Sequence, residues 1–399
     1  MAIKKTKNKN LGIVDNFNIL QYELNQLLKS FLNAGFSKKG FILYPLSKDI
    51  SKENKMKLKG ILNKIRDLEK RGMEFKESGK IKVNLINLNQ RKFVVIISKL
   101  YSDLEKNMRV GKTTKKTVST NKIDVKKYQN SYLKPVIDLK KFSEKNLKEY
   151  VSGIYVHGSL ATLDYVEGWS DLDTLVIIKK EAMLDPNKLL RLRNLMYKSK
   201  IFFYKIDPLQ HHGHLLFTEF DMNYYCQTFF PLVLFKYSKS LIGNKKLNFG
   251  VRDSSKENKS RFLYFTDYFI NLNKNMTLFM SSYNLKLLLH LVTLFPTMYL
   301  QSKNSQVYKK FSFDIARKEF TKKEWSVIDY VSSLRDSWKQ PKKSFTSKYE
   351  KINPLLAYQA NSKYWDLFSN ISKLNNVDLI KIIEGMAIIS KSALKKSKH

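Results

Sequence analysis

The sequence predicts an α+β protein in which a small mixed sheet with flanking helices follows a basic, helix-rich segment and precedes a helical domain. Apolar residues recur at helical spacing in both outer parts of the 399-residue chain. The middle part instead alternates helical stretches with short runs of β-branched residues, which are typical of buried strands. Hydrophobic residues make up 43% of the chain, enough to build a core. We therefore divide the chain into residues 1–142, 143–250 and 251–399.

Positive charge is abundant but unevenly distributed. The chain has 73 Lys and Arg against 35 Asp and Glu, a formal net charge of +38. Residues 1–142 carry +21 and residues 251–399 carry +14, whereas the middle part carries only +3. This layout is expected of a carboxylate-bearing metal site between two surfaces that hold a polyanion, so nucleic acid is the first partner to consider. The base composition of an AT-rich genome also produces Lys- and Asn-rich chains, and that alternative stays open.

The cysteine count and the apolar segments limit the class of protein. Cys226 is the single cysteine, which excludes an internal disulfide, a Cys-based zinc site and an iron–sulfur cluster. A reducing cytoplasm fits this count. The most apolar stretch, Leu287–Leu300, is short and contains His290 and Pro296, so we expect neither a membrane span nor a signal peptide.

Outside the central motif, the pattern predicts these elements along residues 1–250. The first part contains a helix from Ile19 to Phe31 that Gly35 ends, a helix over 53–71, a strand at Lys92–Ile97, and a linker or nucleic-acid-ordered loop over about 109–130. The middle part contains a helix from Ser143 to about Tyr150, a strand at Ile154–Val156, a helix that Asp185 and Pro186 begin, and a strand at Ile201–Ile206.

Two acidic residues begin the strongest strand signal of the chain. The stretch W-S-D-L-D-T-L-V-I-I leads from Asp171 and Asp173 into a β-branched run. Successive side chains of a strand point to opposite faces, so both carboxylates share one side and Leu172 takes the other. Two such carboxylates can hold divalent cations roughly 3.5–4 Å apart, as two-metal phosphoryl transfer requires. Mg²⁺ is the expected ion, because it prefers oxygen ligands and substrate phosphates, and Mn²⁺ is the alternative.

A glycine turn precedes these acids. The strand Ile154–Val156 ends in His157-Gly158-Ser159, and eleven residues separate Ser159 from Asp171. The backbone N–H groups of Gly158 and Ser159 and the serine hydroxyl are placed to cradle a triphosphate, since glycine permits close approach.

Gly-Ser, an eleven-residue gap and Asp-Leu-Asp together resemble the signature of the DNA polymerase beta-like nucleotidyltransferase superfamily, over about residues 145–250. The resemblance implies transfer of a nucleoside monophosphate from an NTP to an acceptor hydroxyl, with release of pyrophosphate. It also implies a third carboxylate on a neighbouring strand, which would complete the metal site with Asp171 and Asp173. We assign this role to Asp221, with Glu219 as the alternative, because F-D-M lies within an apolar run that we interpret as a strand.

The sequence leaves alternatives open for the acceptor, for the histidine cluster at 211–214 and for His157. The charge favours nucleic acid, RNA over DNA, as the acceptor; nucleotidylation of a small molecule or a protein, as in aminoglycoside- and toxin–antitoxin-type members of the superfamily, is the alternative. A non-catalytic nucleic-acid-binding protein is a third hypothesis. The cluster His211-His212-Gly213-His214, with Asp207 upstream, is interpreted as a polar turn, a site-lining segment or a zinc site. His157 has a structural or a general-base role.

The last part of the chain is predicted to be helical at Tyr283–Leu300, Glu324–Leu334 and Val377–Leu394. Within it, the segment Tyr308-Lys309-Lys310 is either a solvated loop or an exposed segment whose two lysines, Lys309 and Lys310, can contact a triphosphate or a nucleic-acid backbone. Its position after the predicted catalytic segment makes this part a candidate lid over the nucleotide.

Overall fold

A five-stranded mixed sheet from the middle of the chain positions the predicted site. The computed structural model describes residues 12–33, 50–84, 86–108, 111–274, 280–341 and 350–397, and the statements below refer to these. The strands are β1 Thr113–Ser119, β2 Asn121–Lys122, β3 Val151–His157, β4 Asp173–Ile178, β5 Leu215–Thr218, β6 Lys239–Gly243 and β7 Lys246–Arg252.

Helices lie before, between and after these strands, so the mixed α and β class predicted from the sequence is confirmed. They are α1 Ile13–Leu32, α2 Lys52–Glu69, α3 Gln90–Asn107, α4 Lys134–Asn146, α5 Ser159–Thr162, α6 Lys180–Leu184, α7 Pro186–Ile206, α8 Glu219–Met222, α9 Val233–Tyr237, α10 Ser255–Lys274, α11 Ser282–Ser302, α12 Lys309–Arg317, α13 Lys322–Asp336, α14 Pro354–Phe368, α15 Ile371–Leu374 and α16 Leu379–Lys396.

The sheet has the strand order β2-β6-β3-β4-β5. Strand β3 is antiparallel to both β4 and β6, whereas β4 and β5 run parallel. In this register His157, the last residue of β3, lies opposite Asp173, the first residue of β4. Strands β1 and β7 form a separate antiparallel ribbon. The end of β3 and the start of β4 therefore meet at one edge of the sheet.

Alternating side chains bury the two faces of the sheet in different clusters. Val176 and Ile178 of β4 pack into the cluster that also holds α1, α2, α3, α4 and α7. Leu175 and Ile177 point to the other face and pack against aromatic residues and Leu247 of β7. A further cluster joins α10, α11, α13 and α16, and Trp169 from the loop before β4 is part of it.

Several predicted elements are confirmed. Helices α1 and α2 match the first two predicted helices, β3 contains the predicted strand, and α11, α13 and α16 match the three predicted C-terminal helices. Asp185 caps α7 as predicted, because its side chain accepts hydrogen bonds from the N–H groups of Asn187 and Lys188, and Pro186 is the first helical residue. Gly35 lies outside the described residues.

Two predicted strands are wrong because both segments are helical. Lys92–Ile97 lies in α3, which Asn89 caps by accepting a hydrogen bond from the Lys92 N–H. Its apolar residues are buried at helical spacing, so packing overrides the β propensity of Val and Ile. Ile201–Ile206 forms the last turns of α7, where Phe203 is fully buried.

Two further predictions are corrected near residue 130. Ser143 does not cap a helix; it lies inside α4, which begins nine residues earlier, so the predicted division between residues 142 and 143 falls within this helix. The predicted linker is wrong for residues 111–128, which form β1, β2 and a 3₁₀ turn at Val125–Tyr128. Strand β1 shows no apolar alternation because nearly all of its side chains are exposed.

Within the described ranges, no helix is both long enough and apolar enough to cross a membrane.

A buried ion pair fixes the loop that precedes β5. Lys286 Nζ of α11 lies 2.8 Å from Asp207 Oδ1, and both side chains are 1% exposed. Lys286 also donates to the Gly168 carbonyl at 3.0 Å, so one ammonium joins α11 to the loops before β4 and before β5. Removing one partner of a buried pair leaves an uncompensated charge in the core.

We expect Lys286→Met to lower the free energy of unfolding by about 3–5 kcal/mol, because Asp207 then stays buried without its counter-charge. Urea unfolding followed by circular dichroism measures this loss. The matched control is Lys57→Met, which removes the exposed Lys57–Glu53 pair of α2 and is expected to cost about 0.5 kcal/mol or less. Equal losses in the two variants would contradict the structural role of the buried pair.

Candidate functional site

The candidate site begins at the turn that follows β3. Gly158 has φ +71°, a conformation that favours glycine, and it directly follows His157. A Cβ atom on Gly158 would lie 2.5 Å from Asp173 Oδ2. The glycine turn and the Asp173 carboxylate are therefore in direct contact.

The two acids of the D-L-D motif face the same side. His212 Nε2 lies 3.2 Å from Asp171 Oδ2 and 2.9 Å from Asp173 Oδ1. Leu172, between the acids, is fully buried in the core on the other side. Strand β4 begins only at Asp173, but the alternation predicted from the sequence extends back to Asp171.

A glutamine side chain joins the D-L-D backbone to the histidine loop. Gln210 Oε1 accepts from the Leu172 N–H at 3.1 Å, and Gln210 Nε2 donates to the Leu172 carbonyl at 3.3 Å. The same Nε2 group donates to the His212 carbonyl at 3.0 Å. Gln210, which is 2% exposed, thus positions His212 beside both carboxylates.

Five of the six histidines of the chain lie around this edge of the sheet. His211 Nδ1 is 3.5 Å from Asp171 Oδ2, and the His290 ring lies 5.0 Å from that of His211 and stacks on Trp169. His157 lies opposite Asp173 in the sheet register. These three imidazoles, together with His212, line the candidate site.

His214 differs from the other four. Its ring nitrogens pair with Thr174 Oγ1 at 2.7 Å and with Ser199 Oγ at 2.9 Å. Burial, followed by the nearby charge of His212, lowers the pKa of His214 to about 3. His214 is therefore a neutral, fully satisfied core residue.

Charge is strongly coupled in the site. Burial by itself would raise the pKa of Asp171, but the imidazoles of His290 and His212 more than offset burial and hold that pKa well below its usual range. Burial by itself would lower the pKa of His212, but its contacts with Asp171 and Asp173 raise that pKa well above the usual value. Burial, followed by the charge of His212, lowers the pKa of His211 to about 4.

The donor atoms fit a divalent cation. Asp171, His211 and His212 each offer a ligand atom, and these atoms all lie within 4.8 Å of one another. His211 Nδ1 and His290 Nε2 are buried and make no hydrogen bond to any residue that the structure describes. Carboxylate oxygens suit Mg²⁺ and Mn²⁺, whereas imidazole nitrogens suit transition ions. The zinc alternative of the sequence analysis therefore has the donors it needs at His211 and His212, but not at His214 or Asp207.

The residues predicted to bind the triphosphate have different surroundings. The Ser159 hydroxyl donates to Ser170 Oγ at 2.9 Å and so binds the loop before β4. Helix α5, which Ser159 begins, has only four residues. Lys309 Nζ donates to Thr293 Oγ1 at 2.9 Å; burial lowers its pKa, partly offset by the charges of Asp171 and Asp173. Lys309 is therefore within electrostatic reach of the carboxylates.

The segment 308–310 is predicted to be exposed, but the structure exposes only part of it. Tyr308 is buried, and its hydroxyl donates to the Gly158 carbonyl at 3.3 Å. Lys310 pairs with Asp164 at 3.1 Å and keeps an exposed side chain. Helix α12 thus contacts the glycine turn through Tyr308 and presents one half-buried and one exposed lysine near it.

Asp221 and Glu219 do not join Asp171 and Asp173. In the parallel register Thr218 lies beside Ile178, five residues along β4 from Asp173, or about 16 Å at the rise of a strand. The segment forms the short helix α8 rather than a strand, because Thr218 and Asp221 cap it reciprocally. The predicted trio of acids is therefore corrected to a pair.

Each of these two acids has a structural partner. Asp221 Oδ2 accepts from Thr218, and Oδ1 accepts from Gln21 Nε2 and Asn25 Nδ2 at 3.0 Å each, which ties α8 to α1. Glu219 accepts from the Lys180 N–H at 2.9 Å. Burial raises the pKa of Asp221.

We expect Gly158→Ala to destabilise the protein by more than Gly72→Ala, although both glycines have positive φ. A Cβ at Gly72 meets nothing within 4 Å, so that variant reports only the backbone cost, about 1–2 kcal/mol. A Cβ at Gly158 adds a clash with Asp173. Urea unfolding of the two variants compares these costs, and equal losses would contradict the contact between the turn and the carboxylate.

Comparison of the chain with protein-family models, with curated proteins and with solved structures finds no match in any of the three. The functional argument therefore depends on the geometry of the site and on the sequence motif.

Proposed function

We propose that this protein is a metal-dependent nucleotidyltransferase that transfers a nucleoside monophosphate from an NTP to an acceptor hydroxyl. The observation that carries the proposal is the contact of the glycine turn with the D-L-D carboxylates, since a Gly158 Cβ would lie 2.5 Å from Asp173. Contact between a glycine turn and paired carboxylates brings a phosphate-binding backbone next to a cation site. The Gly-Ser and Asp-Leu-Asp spacing of the sequence supports the same reaction.

Asp171 and Asp173 would hold the cation, which would neutralise charge on the triphosphate and stabilise the charge that develops in the reaction. The chain contributes mainly orientation, as in other phosphoryl transfers. The backbone of the turn at Gly158 would meet the phosphate oxygens beside the Asp173 carboxylate, and Lys309 adds positive charge near the two carboxylates. The acceptor oxygen bonds to the α-phosphorus, the bond to the leaving pyrophosphate breaks, and the hydroxyl proton passes to water on the partly exposed side of Asp173.

Nucleic acid is the acceptor that the positive charge of the surface favours, with RNA preferred over DNA as in the sequence analysis. We name as the basic surface the exposed lysines of residues 111–128 and 239–252. It consists of Lys112, Lys115, Lys116, Lys122, Lys126, Lys127, Lys245 and Lys246. Asp124 is the one acidic residue in these two segments. A phosphate backbone binds such a surface through lysine side chains.

The basic surface reaches the candidate site. Tyr128, next to Lys127, donates its hydroxyl to the Leu160 carbonyl of α5 at 2.8 Å. In the sheet, Asn121 of β2 lies opposite Lys239 of β6, which in turn lies opposite Val156 of β3. Two strand spacings, about 10 Å, therefore separate β2 from the end of β3. An acceptor strand bound on the basic surface has its end within reach of the glycine turn.

We expect Asp173→Ala to lower NTP turnover by about 100- to 1,000-fold or more, the scale of losing one group that stabilises a transition state. The assay incubates each α-labelled NTP with a divalent cation and with RNA, DNA or protein, and follows label in the acceptor and in pyrophosphate. Glu219→Gln is the control, because Glu219 lies in α8, beyond the end of β5 that is remote from Asp173. Unchanged turnover in Asp173→Ala, with the fold confirmed by circular dichroism, would contradict the proposal.

We expect Lys126→Gln/Lys127→Gln to weaken binding of single-stranded RNA and to reduce the slope of log affinity against log salt by about 1.4, at about 0.7 per phosphate contact. Fluorescence anisotropy of labelled RNA, measured at salt concentrations between about 50 and 200 mM, gives both the affinity and the slope. Lys373→Gln/Lys391→Gln removes two exposed lysines elsewhere and serves as the charge-matched control. Binding without salt dependence would instead favour a small molecule or a protein as the acceptor.

A further inference from the structure

We propose that Asp171, Asp173, His211 and His212 form one mixed carboxylate and imidazole site that binds a first-row transition ion, Zn²⁺ or Mn²⁺, in preference to Mg²⁺. The inference deepens the proposed function and rests on it for the presence of a cation at the site. It assigns to His212 the position that a third carboxylate was expected to take.

The separations between the donor atoms are those of ligands around a single ion. His212 Nε2 lies 2.9 Å from Asp173 Oδ1 and 3.2 Å from Asp171 Oδ2, and His211 Nδ1 lies 3.5 Å from the same Asp171 oxygen. Two atoms bound to one ion at about 2.0–2.2 Å are about 2.8–3.6 Å apart for right-angle to tetrahedral geometry. Asp171, His211 and His212, whose donor atoms all lie within 4.8 Å of one another, thus need little movement to share an ion, and Asp173 adjoins them through its contact with His212.

The histidine nitrogens are oriented as metal ligands usually are. Metal-binding histidines generally donate their second ring N–H to a backbone carbonyl or a carboxylate. His212 Nδ1 lies 3.1 Å from the Gly213 carbonyl, and Nε2 faces the two carboxylates, so an ion bound there would take the place of the Nε2 proton. His211 Nδ1 has no hydrogen-bond partner within the described part of the chain. By contrast, both nitrogens of His214 are engaged by hydroxyl groups, as in a purely structural histidine.

The chain fixes the loop that carries these histidines. Gln210 makes two hydrogen bonds to the backbone of Leu172, between the two acids. Asp207, at the start of the loop, is paired with Lys286 in the core. The parallel pairing of Leu215 with Leu175 brings the residues just before β5 beside the start of β4. Three independent contacts therefore hold the imidazoles at the carboxylates, as preorganised ligation requires.

The donor set decides the class of ion. Mg²⁺ prefers oxygen ligands and keeps several waters, so two imidazoles offer it little. Imidazole suits later first-row ions, and affinity at one nitrogen and oxygen site rises from Mn²⁺ to Zn²⁺. We therefore expect the affinity order Zn²⁺ above Mn²⁺ above Mg²⁺. Because Mn²⁺ accepts both donor types, it also serves as a spectroscopic probe.

The test uses the full chain without an affinity tag, treated with EDTA and dialysed, in the absence of nucleotide. Isothermal titration with Zn²⁺, Mn²⁺ and Mg²⁺ gives the affinities, and electron spin echo modulation of bound Mn²⁺ reports directly bonded nitrogen. We expect tight Zn²⁺ binding and ¹⁴N modulation that weakens in His212→Gln. Glu219→Gln is the matched control and keeps both signals. Gln210→Ala, which removes a positioning residue, lowers affinity by about 10- to 100-fold without removing a ligand.

Circular dichroism and urea unfolding of each variant identify any loss of ion binding that misfolding causes. If His212→Gln does not fold, His211→Gln takes its place in the test. Binding of Mg²⁺ at least as tight as that of Zn²⁺, or Mn²⁺ bound without ¹⁴N modulation, would overturn the inference and leave the proposed function in place. If none of the three ions binds and NTP turnover is also absent, both fail. Zn²⁺ binding that persists unchanged in His212→Gln and His211→Gln assigns the ion to another site and also overturns the inference.

Discussion

The pairing of β3 with β4 is the constraint on which the site depends. Because His157 lies opposite Asp173, the turn that ends one strand and the acids that begin the next occupy the same edge of the sheet. A side chain at position 158 would collide with the Asp173 carboxylate, so the close contact requires a glycine. The remaining site residues approach this fixed edge from loops and from α11 and α12.

The site residues that come from loops and from α11 and α12 are held in place by buried polar contacts rather than by further strands. Gln210 pairs with the peptide groups of Leu172 almost as a neighbouring strand would, and the Asp207–Lys286 pair joins the same loop to α11. Buried polar groups are costly unless they are paired, so each contact disfavours other arrangements of the loop. Tyr308 adds a hydrogen bond from α12 to the glycine turn. The C-terminal helices therefore contribute directly to the walls of the site.

The sequence predicted those parts of the site that local chemistry determines. The shared side of Asp171 and Asp173 follows from strand alternation, and the start of α7 follows from Asp185 and Pro186. The predicted strand at Lys92–Ile97 is wrong because a short β-branched run has the same pattern in a strand and in a buried helix. Packing against α1 and α7 decides between the two. The sequence predicts Asp221 at the site because F-D-M lies within an apolar run that reads as a strand, but Thr218 begins a helical turn there. The sequence leaves the role of His212 open among a polar turn, a site-lining segment and a zinc site, because its place beside Asp173 depends on the register of β5 against β4.

The ribbon of β1 and β7 joins residues that are far apart in the sequence. Ser119 pairs with Lys246 and Thr113 with Arg252, a separation of about 130 residues. Such distant pairings form late, because a long stretch of chain must first be ordered. During synthesis β1 has no partner until β7 has left the ribosome, by which time the residues of the central sheet have all emerged. The lysines of the ribbon therefore come together only in a chain that already includes the acids of β4, and a nascent fragment ending before residue 246 lacks the paired ribbon.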